Sequence, residues 1–425
     1  MTVKDEKGTQ IIEYPTDFFI GAVYVESLIG QHQFKPGSNK AIRSLYAIYN
    51  YTLFCNAVGF VILELTVFRK TKNTTTLVTQ IGMLITHMMG MAKLSVLVYY
   101  RKRIESTKEK LQDKRFYYTP LGDFQPGLRM HEGKTAAVRV AALIFLLYTF
   151  VGVSAHISAV LMVRKNTENN TFIGNVTCES FIPYIYDHPF DVSTATGCYY
   201  SLAWMDFALD INANYIAALD LIFVTLMHCL TCQLNILGEA FTSIRQRCLR
   251  KLNLENANFL HDTEYPKLEE AIYEEFSRCT KHLYSLIEVR NDIEDVFTFI
   301  TLGQTIGSLL IFASCLFVAS KEPITSPNFF SQMEYFSAVL FQFSLYCWFG
   351  NQMTIAGASI STAVYNSDWF ACSKRVKKSI ILTMSRMQRP VFVSIGKFTP
   401  LTLTTLLAVI KGSFSYYTVF QSAGE

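Results

Sequence analysis

The residue types and spacings of this 425-residue chain give catalysis no foothold. There is no Gly-x-Ser-x-Gly turn, no glycine-rich phosphate loop and no His-Glu-x-x-His, and none of the eight histidines stand at i, i+4. Cys229-Leu-Thr-Cys232 has the spacing of a metal or redox pair. It lacks a second ligand pair and lies in an apolar stretch, so packing is its expected role. The chemistry of interest is polar groups inside apolar segments, where each unpaired charge costs about 3 kcal/mol. Asp206, Asp210 and Asp220 fall within about 80° of one another at ~100° per residue of helix. Two readings are open for them: pairing with Lys or Arg on neighbouring helices, or an acidic patch beside an ion route. Lys93 reads as a snorkelling or paired lysine. Near the C-terminus Lys397, Thr404, Lys411, Ser415, Thr418 and Ser422 share a stripe about 60° wide, opposite a Leu- and Val-rich face. A polar stripe cannot face lipid, so it faces other helices or water.

The elements that position these groups follow from composition. Half the residues are hydrophobic and only 17% are charged, with a mean hydropathy of +0.23. A soluble domain carries about 25% charged residues. Apolar runs long enough to cross ~30 Å of hydrocarbon occur at 42–68, 77–100, 136–163, 215–237, 296–319, 335–355 and 399–420. The pattern around the third aspartate of the trio continues from 196 to 237, which predicts a helix projecting beyond the bilayer. The first 40 residues are mostly polar, with an interfacial helix expected over 14–28 and no signal-peptide pattern. The expected fold is therefore an all-α membrane protein of seven transmembrane helices.

Charge sets the orientation. Of the 38 Lys and Arg residues, 27 lie in segments 1–40, 100–135, 238–292 and 350–390, and 6 lie in the alternate connections. Positive charge stays cytoplasmic, which puts the N-terminus inside and the C-terminus outside. The sequons at Asn73, Asn169 and Asn175 then fall outside, with Asn169 and Asn175 the candidates for glycosylation. Cys178 and Cys198 flank the second external loop and are candidates for a disulfide. This orientation is opposite to that of a G-protein-coupled receptor. The third span also ends in Leu161-Met-Val-Arg-Lys rather than an acidic-Arg-Tyr motif, and no Asn-Pro-x-x-Tyr closes the chain. Arg389-Pro390 follows a short basic helix at 373–387, and Gly396 and Pro400 flank a restart, so the last element is expected in two pieces.

Ala363-Val-Tyr-Asn-Ser-Asp-Trp-Phe, Met384-Ser-Arg-Met-Gln-Arg-Pro and Lys411-Gly-Ser-Phe-Ser-Tyr-Tyr-Thr-Val-Phe resemble the closing signature of insect odorant receptors. His188-Pro-Phe-Asp191 and Asp220-Leu-Ile-Phe are similar to further elements of that family. The resemblance implies an odorant-specific subunit rather than the shared co-receptor, whose second cytoplasmic loop is longer than the 55 residues of 238–292. It implies a heterotetramer with co-receptor subunits around one pore, in the plasma membrane of olfactory sensory dendrites. The pore would pass sodium, potassium and calcium. It further implies a pore helix with its gate at Val419, flanked by Ser415, Thr418, Gln421 and Ser422, and a volatile odorant held in the outer half of the bundle. There Met83, Thr86, His87, Tyr148, Gly152, Ala155, Trp204, Phe207, Ala208, Tyr335 and Val339 are the candidate contacts. The expected division is a cytoplasmic segment 1–40, spans one to four with the pocket over 41–237, cytoplasmic anchor helices over 238–292, and spans five to seven with the pore helix over 293–425. No cofactor, metal or nucleic acid is expected. A gustatory-type cation channel and a secondary transporter are the alternatives.

Overall fold

The computed structural model describes residues 2–4, 10–32, 34, 37–68, 74–168, 186–188, 190, 192, 194–254 and 261–423. A short antiparallel hairpin, β1 (Thr2–Lys4) with β2 (Gln10–Ile12), precedes α1 (Ile20–Leu28), which lies within the interval expected for the interfacial helix. The long helices are α2 (Lys40–Phe68), α3 (Thr74–Tyr99), α5 (Pro126–Glu168), α6 (Ala195–Thr242), α8 (Pro266–Lys321), α9 (Pro327–Tyr365) and α11 (Leu403–Ala423). Shorter α4 (Arg101–Leu111), α7 (Ile244–Lys251) and α10 (Lys374–Met387) carry much of the basic charge on the cytoplasmic side. Each apolar run of the sequence falls in one long helix, and the last begins four residues later than the run. The result is an all-α protein with seven transmembrane helices, N-terminus cytoplasmic and C-terminus outside.

Local sequence sets the boundaries. Thr194 caps α6, its Oγ1 accepting from Gly197 N at 3.1 Å, and Ser326 caps α9 by accepting from Phe329 N at 3.1 Å. Proline occupies the first turn of α8 and α9, where its missing N–H costs nothing. Five of the seven helices are apolar and long enough to cross a bilayer by themselves. The other two, α9 and α11, are richer in Ser, Thr, Asn and Gln.

The axle is α6. Of its apolar window 89% is buried, against 28% for α2, so protein surrounds α6 and lipid can reach much of α2. It packs on α5, α9, α3, α8, α1 and α2. At 48 and 56 residues, α6 and α8 run ~70 and ~85 Å, well past the hydrocarbon. Their cytoplasmic ends form a polar-walled body with α4, α7 and α10. There Arg247 donates to Glu275 at 2.9 Å and to Ala240 O at 2.9 Å, and Arg103 and Lys110 both reach Asp292.

The last element is split as the sequence implies. After α10 the chain forms a two-residue ladder, β3 (Ser394–Ile395) with β4 (Thr399–Pro400), before α11. Its turn places Gly396 at φ 57° and Lys397 at φ 66°, and the left-handed region suits the glycine far better than the lysine. Lys397 therefore lies in this turn and not on the polar stripe of the helix. Phe398, at 85% exposure, is the tip of the hairpin.

Candidate ligand-binding site

Between α3, α5, α6 and α9, toward their outer ends, lies a cavity of about 360 Å³. Met83, Thr86 and His87 enter it from α3, and Tyr148 and Gly152 from α5. Tyr335, Val339 and Gln342 enter from α9. The α6 wall is Asp206, Leu209, Asp210, Asn212, Ala213 and Ile216. A Cβ built on Gly152 meets nothing within 4 Å, so this position opens the wall rather than filling it.

Seven of the expected contacts, Met83, Thr86, His87, Tyr148, Gly152, Tyr335 and Val339, line this cavity. Trp204, Phe207 and Ala208 do not. Trp204 stacks obliquely on Phe60 and Tyr186, with ring centroids 5.6 and 5.7 Å apart, in a cluster that also takes in Ala208. Phe207 is half exposed on the outer side of α6. The helix register turns 206, 209 and 213 inward instead. The side chain of Ala155 is outside the described set, as are Asn169, Asn175 and Cys178. Cys198 is disulfide-bonded, and Cys229 and Cys232 carry free thiols.

The polar groups of the cavity are organised. Tyr335 OH donates to Gly82 O at 3.2 Å and meets the Thr86 hydroxyl. His87 Nδ1 lies 2.8 Å from Glu64 Oε2 of α2, both buried. His156 Nδ1 pairs with Asp206. Behind two residues of the wall, Tyr148 and Gln342, Asp220 is 2% exposed and takes four donors. Lys93 Nζ, itself fully buried, reaches its Oδ1 at 2.5 Å, and Tyr346 OH reaches the same oxygen at 2.6 Å. Gln342 Nε2 at 2.6 Å and Tyr148 OH at 3.2 Å take Oδ2. A buried carboxylate with an ammonium and three neutral donors is fully satisfied, which is the condition for tolerating charge in a low-dielectric interior. Of the two readings open for the aspartates, pairing holds for Asp220 with Lys93 and, with histidine in place of Lys or Arg, for Asp206.

The network continues to α8, on which the last helix packs. Gln342 Oε1 accepts from Gln304 Nε2 of α8 at 3.2 Å. One face of α11 then packs on α8 and α9: Val409 and Ser413 are buried, and a Cβ on Gly412 would stand 3.3 Å from Leu309. Lys411, Ser415, Thr418, Gln421 and Ser422 are exposed on this subunit, and Val419 is 60% exposed. The polar stripe and Val419 thus share the side of α11 turned away from its own bundle. Among the described residues no cluster of His, Cys, Asp and Glu could hold a metal ion.

The geometry defines a class: a seven-helix membrane protein with a half-open cavity, part apolar and part polar, in its outer half. The family model for the 7tm odorant receptor matches residues 73–414, and the chain belongs to that family. It is 25% identical over 154 residues to odorant receptor Or2 of Anopheles gambiae, covering 35% of this chain and 39% of that protein. It is 28% identical over 156 residues to odorant receptor 22c of Drosophila melanogaster, with coverage of 35% and 39%. The chain thus spans about two fifths of the length of these relatives. The match to odorant receptor Or1 of Anopheles gambiae is longer, at 20% identity over 91% of this chain and 90% of that one. Among solved structures, the insect olfactory receptor OR5 from Machilis hrabei in complex with eugenol superposes with a TM-score of 0.71 and 12% identity, covering 96% of this chain and 98% of that one. The same receptor without that description of a ligand gives 0.68 and 13%, with 95% and 99% covered.

Proposed function

We propose that this chain is the odorant-specific subunit of a heteromeric, odorant-gated, non-selective cation channel in the plasma membrane of olfactory sensory dendrites. The observation that carries this reading is the half-open cavity between α3, α5, α6 and α9, connected through Gln342 and Gln304 to α8, on which α11 packs. A volatile molecule enters the cavity and is held mainly by dispersion against Met83, Val339 and Ile216. It binds the open arrangement more tightly and shifts a closed-open equilibrium. Tyr335, Val339 and Gln342 lie on α9, and Gln342 bonds to α8, so strain at the cavity wall reaches both helices on which α11 rests. With co-receptor subunits completing a tetramer, the exposed face of α11 borders the pore. Val419 narrows it, while Ser415, Thr418, Gln421 and Ser422 line its wet wall for sodium, potassium and calcium. Membrane lipid covers α2 and α5, and no enzymatic step intervenes.

Whole-cell recording tests the reading. Odorant-evoked cation current should appear when the chain is co-expressed with the shared co-receptor and be lacking when the chain is expressed alone. Full currents from the chain alone would remove the heteromeric assignment. Currents that survive Gly152→Leu unchanged for every odorant would remove the cavity from the mechanism.

A further inference from the structure

A second opening lies at the other end of the same helices. Between α5, α6 and α9 runs a groove of about 660 Å³, lined by Gly133 and Ala136 of α5, Ile236 and Gly238 of α6, and Ser359 and Ala363 of α9. Its back is closed where His228 Nε2 donates to Gly133 O at 3.1 Å. The groove straddles the inner ends of three apolar runs, at residues 136, 237 and 355, which places it at the cytoplasmic surface of the bilayer.

A further cavity, of about 730 Å³, continues it toward the cytosol, and the two share Arg129, Glu239 and Thr242. Beyond these shared residues the walls turn polar, with Asp123, Ser243, Gln246 and Arg250. The path is therefore apolar at the depth of acyl chains and polar at the depth of head groups. Among the described residues of its walls the charges are two guanidinium groups, Arg129 and Arg250, and three carboxylates, Asp123, Glu132 and Glu239. Arg129 stands 3.2 Å from Glu239, both side chains more than a third exposed, and a guanidinium has donors enough to keep that contact and meet a phosphate as well. Carboxylates outnumber guanidinium groups by one. A purely anionic head thus meets net repulsion, whereas a head that joins a phosphate to an ammonium finds both signs.

We propose that this continuous groove binds an inner-leaflet phospholipid with a zwitterionic head. An acyl chain lies along Ala136 and Ala363, the phosphate meets Arg129 and Arg250, and the ammonium meets Asp123 and Glu132.

The experiment uses the full chain purified with its co-receptor, stripped of lipid in detergent, and reads the thermal unfolding midpoint as lipid is added back. The probes are dioleoyl phosphatidylethanolamine, phosphatidylglycerol with the same chains, and dioleoylglycerol, which has no phosphate. Phosphatidylethanolamine should raise the midpoint saturably, half-saturating at a concentration about threefold below phosphatidylglycerol and about tenfold below dioleoylglycerol. Ser359→Phe fills the groove from an exposed position on α9 and should raise that concentration about fivefold for every probe. Arg129→Gln should erase most of the preference for phosphatidylethanolamine over dioleoylglycerol. Phosphatidylglycerol that stabilises equally or better overturns the proposal, as does a response that never saturates or is unchanged in both variants. If Ser359→Phe releases the co-receptor while the lipid response stays as in wild type, the groove is a contact between subunits and the proposal fails. All readings are taken without odorant, so none depends on the role of the outer cavity.

Discussion

Replacing Asp220 by Leu strands the Lys93 ammonium at the centre of the bundle, and the cost can be placed from the geometry. Lys93 is fully buried with the Asp220 carboxylate at 2.5 Å, so it cannot reach water without breaking the helix packing. Removing one partner of such a pair costs about 3–5 kcal/mol. The Tyr148, Tyr346 and Gln342 donors also lose their acceptor. Lys93→Met should cost less, because the carboxylate keeps those three donors. Removing both charges replaces a buried ion pair with apolar groups, which is often close to neutral. Lys93→Met combined with Asp220→Leu should therefore be more stable than Asp220→Leu alone, with a coupling of about 2 kcal/mol or more between the sites. The assay is thermal survival of detergent-solubilised protein, read as the monodisperse fraction against temperature for wild type, both single variants and the double variant. Losses that simply add would show that the pair is not coupled and that the ammonium finds relief elsewhere. The milder Asp220→Asn keeps the size and weakens the hold on Tyr148 and Gln342, both on the cavity wall. It should change odorant sensitivity even where the protein still reaches the surface.

Three other outcomes are expected. His282 stacks on Phe116, with ring centroids 4.5 Å apart, and its Nδ1 meets Tyr118 OH at 3.0 Å, deep in the cytoplasmic body. Burial first, and the Arg278 charge second, lower its pKa from 6.5 to about 3, although Asp113 opposes them. The unfolded chain takes up this proton below pH 6.5 and the folded chain only near 3, so the stability is present above 6.5 and drains as pH falls toward 3. Between pH 7.5 and 5 the loss is about 2 kcal/mol, and His282→Gln should flatten the pH dependence of thermal unfolding in that range. At Gly350 on α9 an added Cβ would stand 2.3 Å from the Leu401 carbonyl oxygen, which cannot yield without moving the start of α11. Gly350→Ala should therefore change resting current or activation kinetics, and wild-type gating with normal surface expression would refute that dependence. Val419→Ala, which trims an exposed side chain on α11 and disturbs no core, should raise resting current with little loss of stability; an unchanged current would argue against the gate at this position.

Hydropathy and charge made the scaffold legible because lipid and the positive-inside bias act on composition, residue by residue. The split of the last element was equally local, carried by Arg389-Pro390, Gly396 and Pro400. The small hairpin between the pieces was not, since two-residue strands have too little pattern to see, and Lys397 was drawn onto the helix stripe by a periodicity that the turn interrupts. The cavity shows the same division more sharply. On α3, α5 and α9 the expected residues come to the wall because one face of each helix is the obvious inward face. At the outer end of α6 large apolar side chains stand on both faces, Tyr200 and Phe207 exposed and Leu202 and Met205 buried, so apolar character says nothing about rotation. Trp204, Phe207 and Ala208, chosen by depth and helical spacing, therefore lie off the wall of this cavity. The usable signal was the aspartates: a carboxylate within a membrane-spanning helix faces a cavity or a partner rather than lipid. Asp206 and Asp210 mark the first and Asp220 the second, and together they give the orientation that hydrophobicity could not. What no single chain can reveal is which cation, because Lys93 and Asp220 are 127 residues apart and meet only once α3 and α6 have packed. That pairing lies under the cavity and ties α3 to α6, while Gln342 and Tyr346 tie the same carboxylate to α9. The position hardest to read from sequence is thus the one where the residues of the cavity wall and the stability of the bundle draw on the same carboxylate.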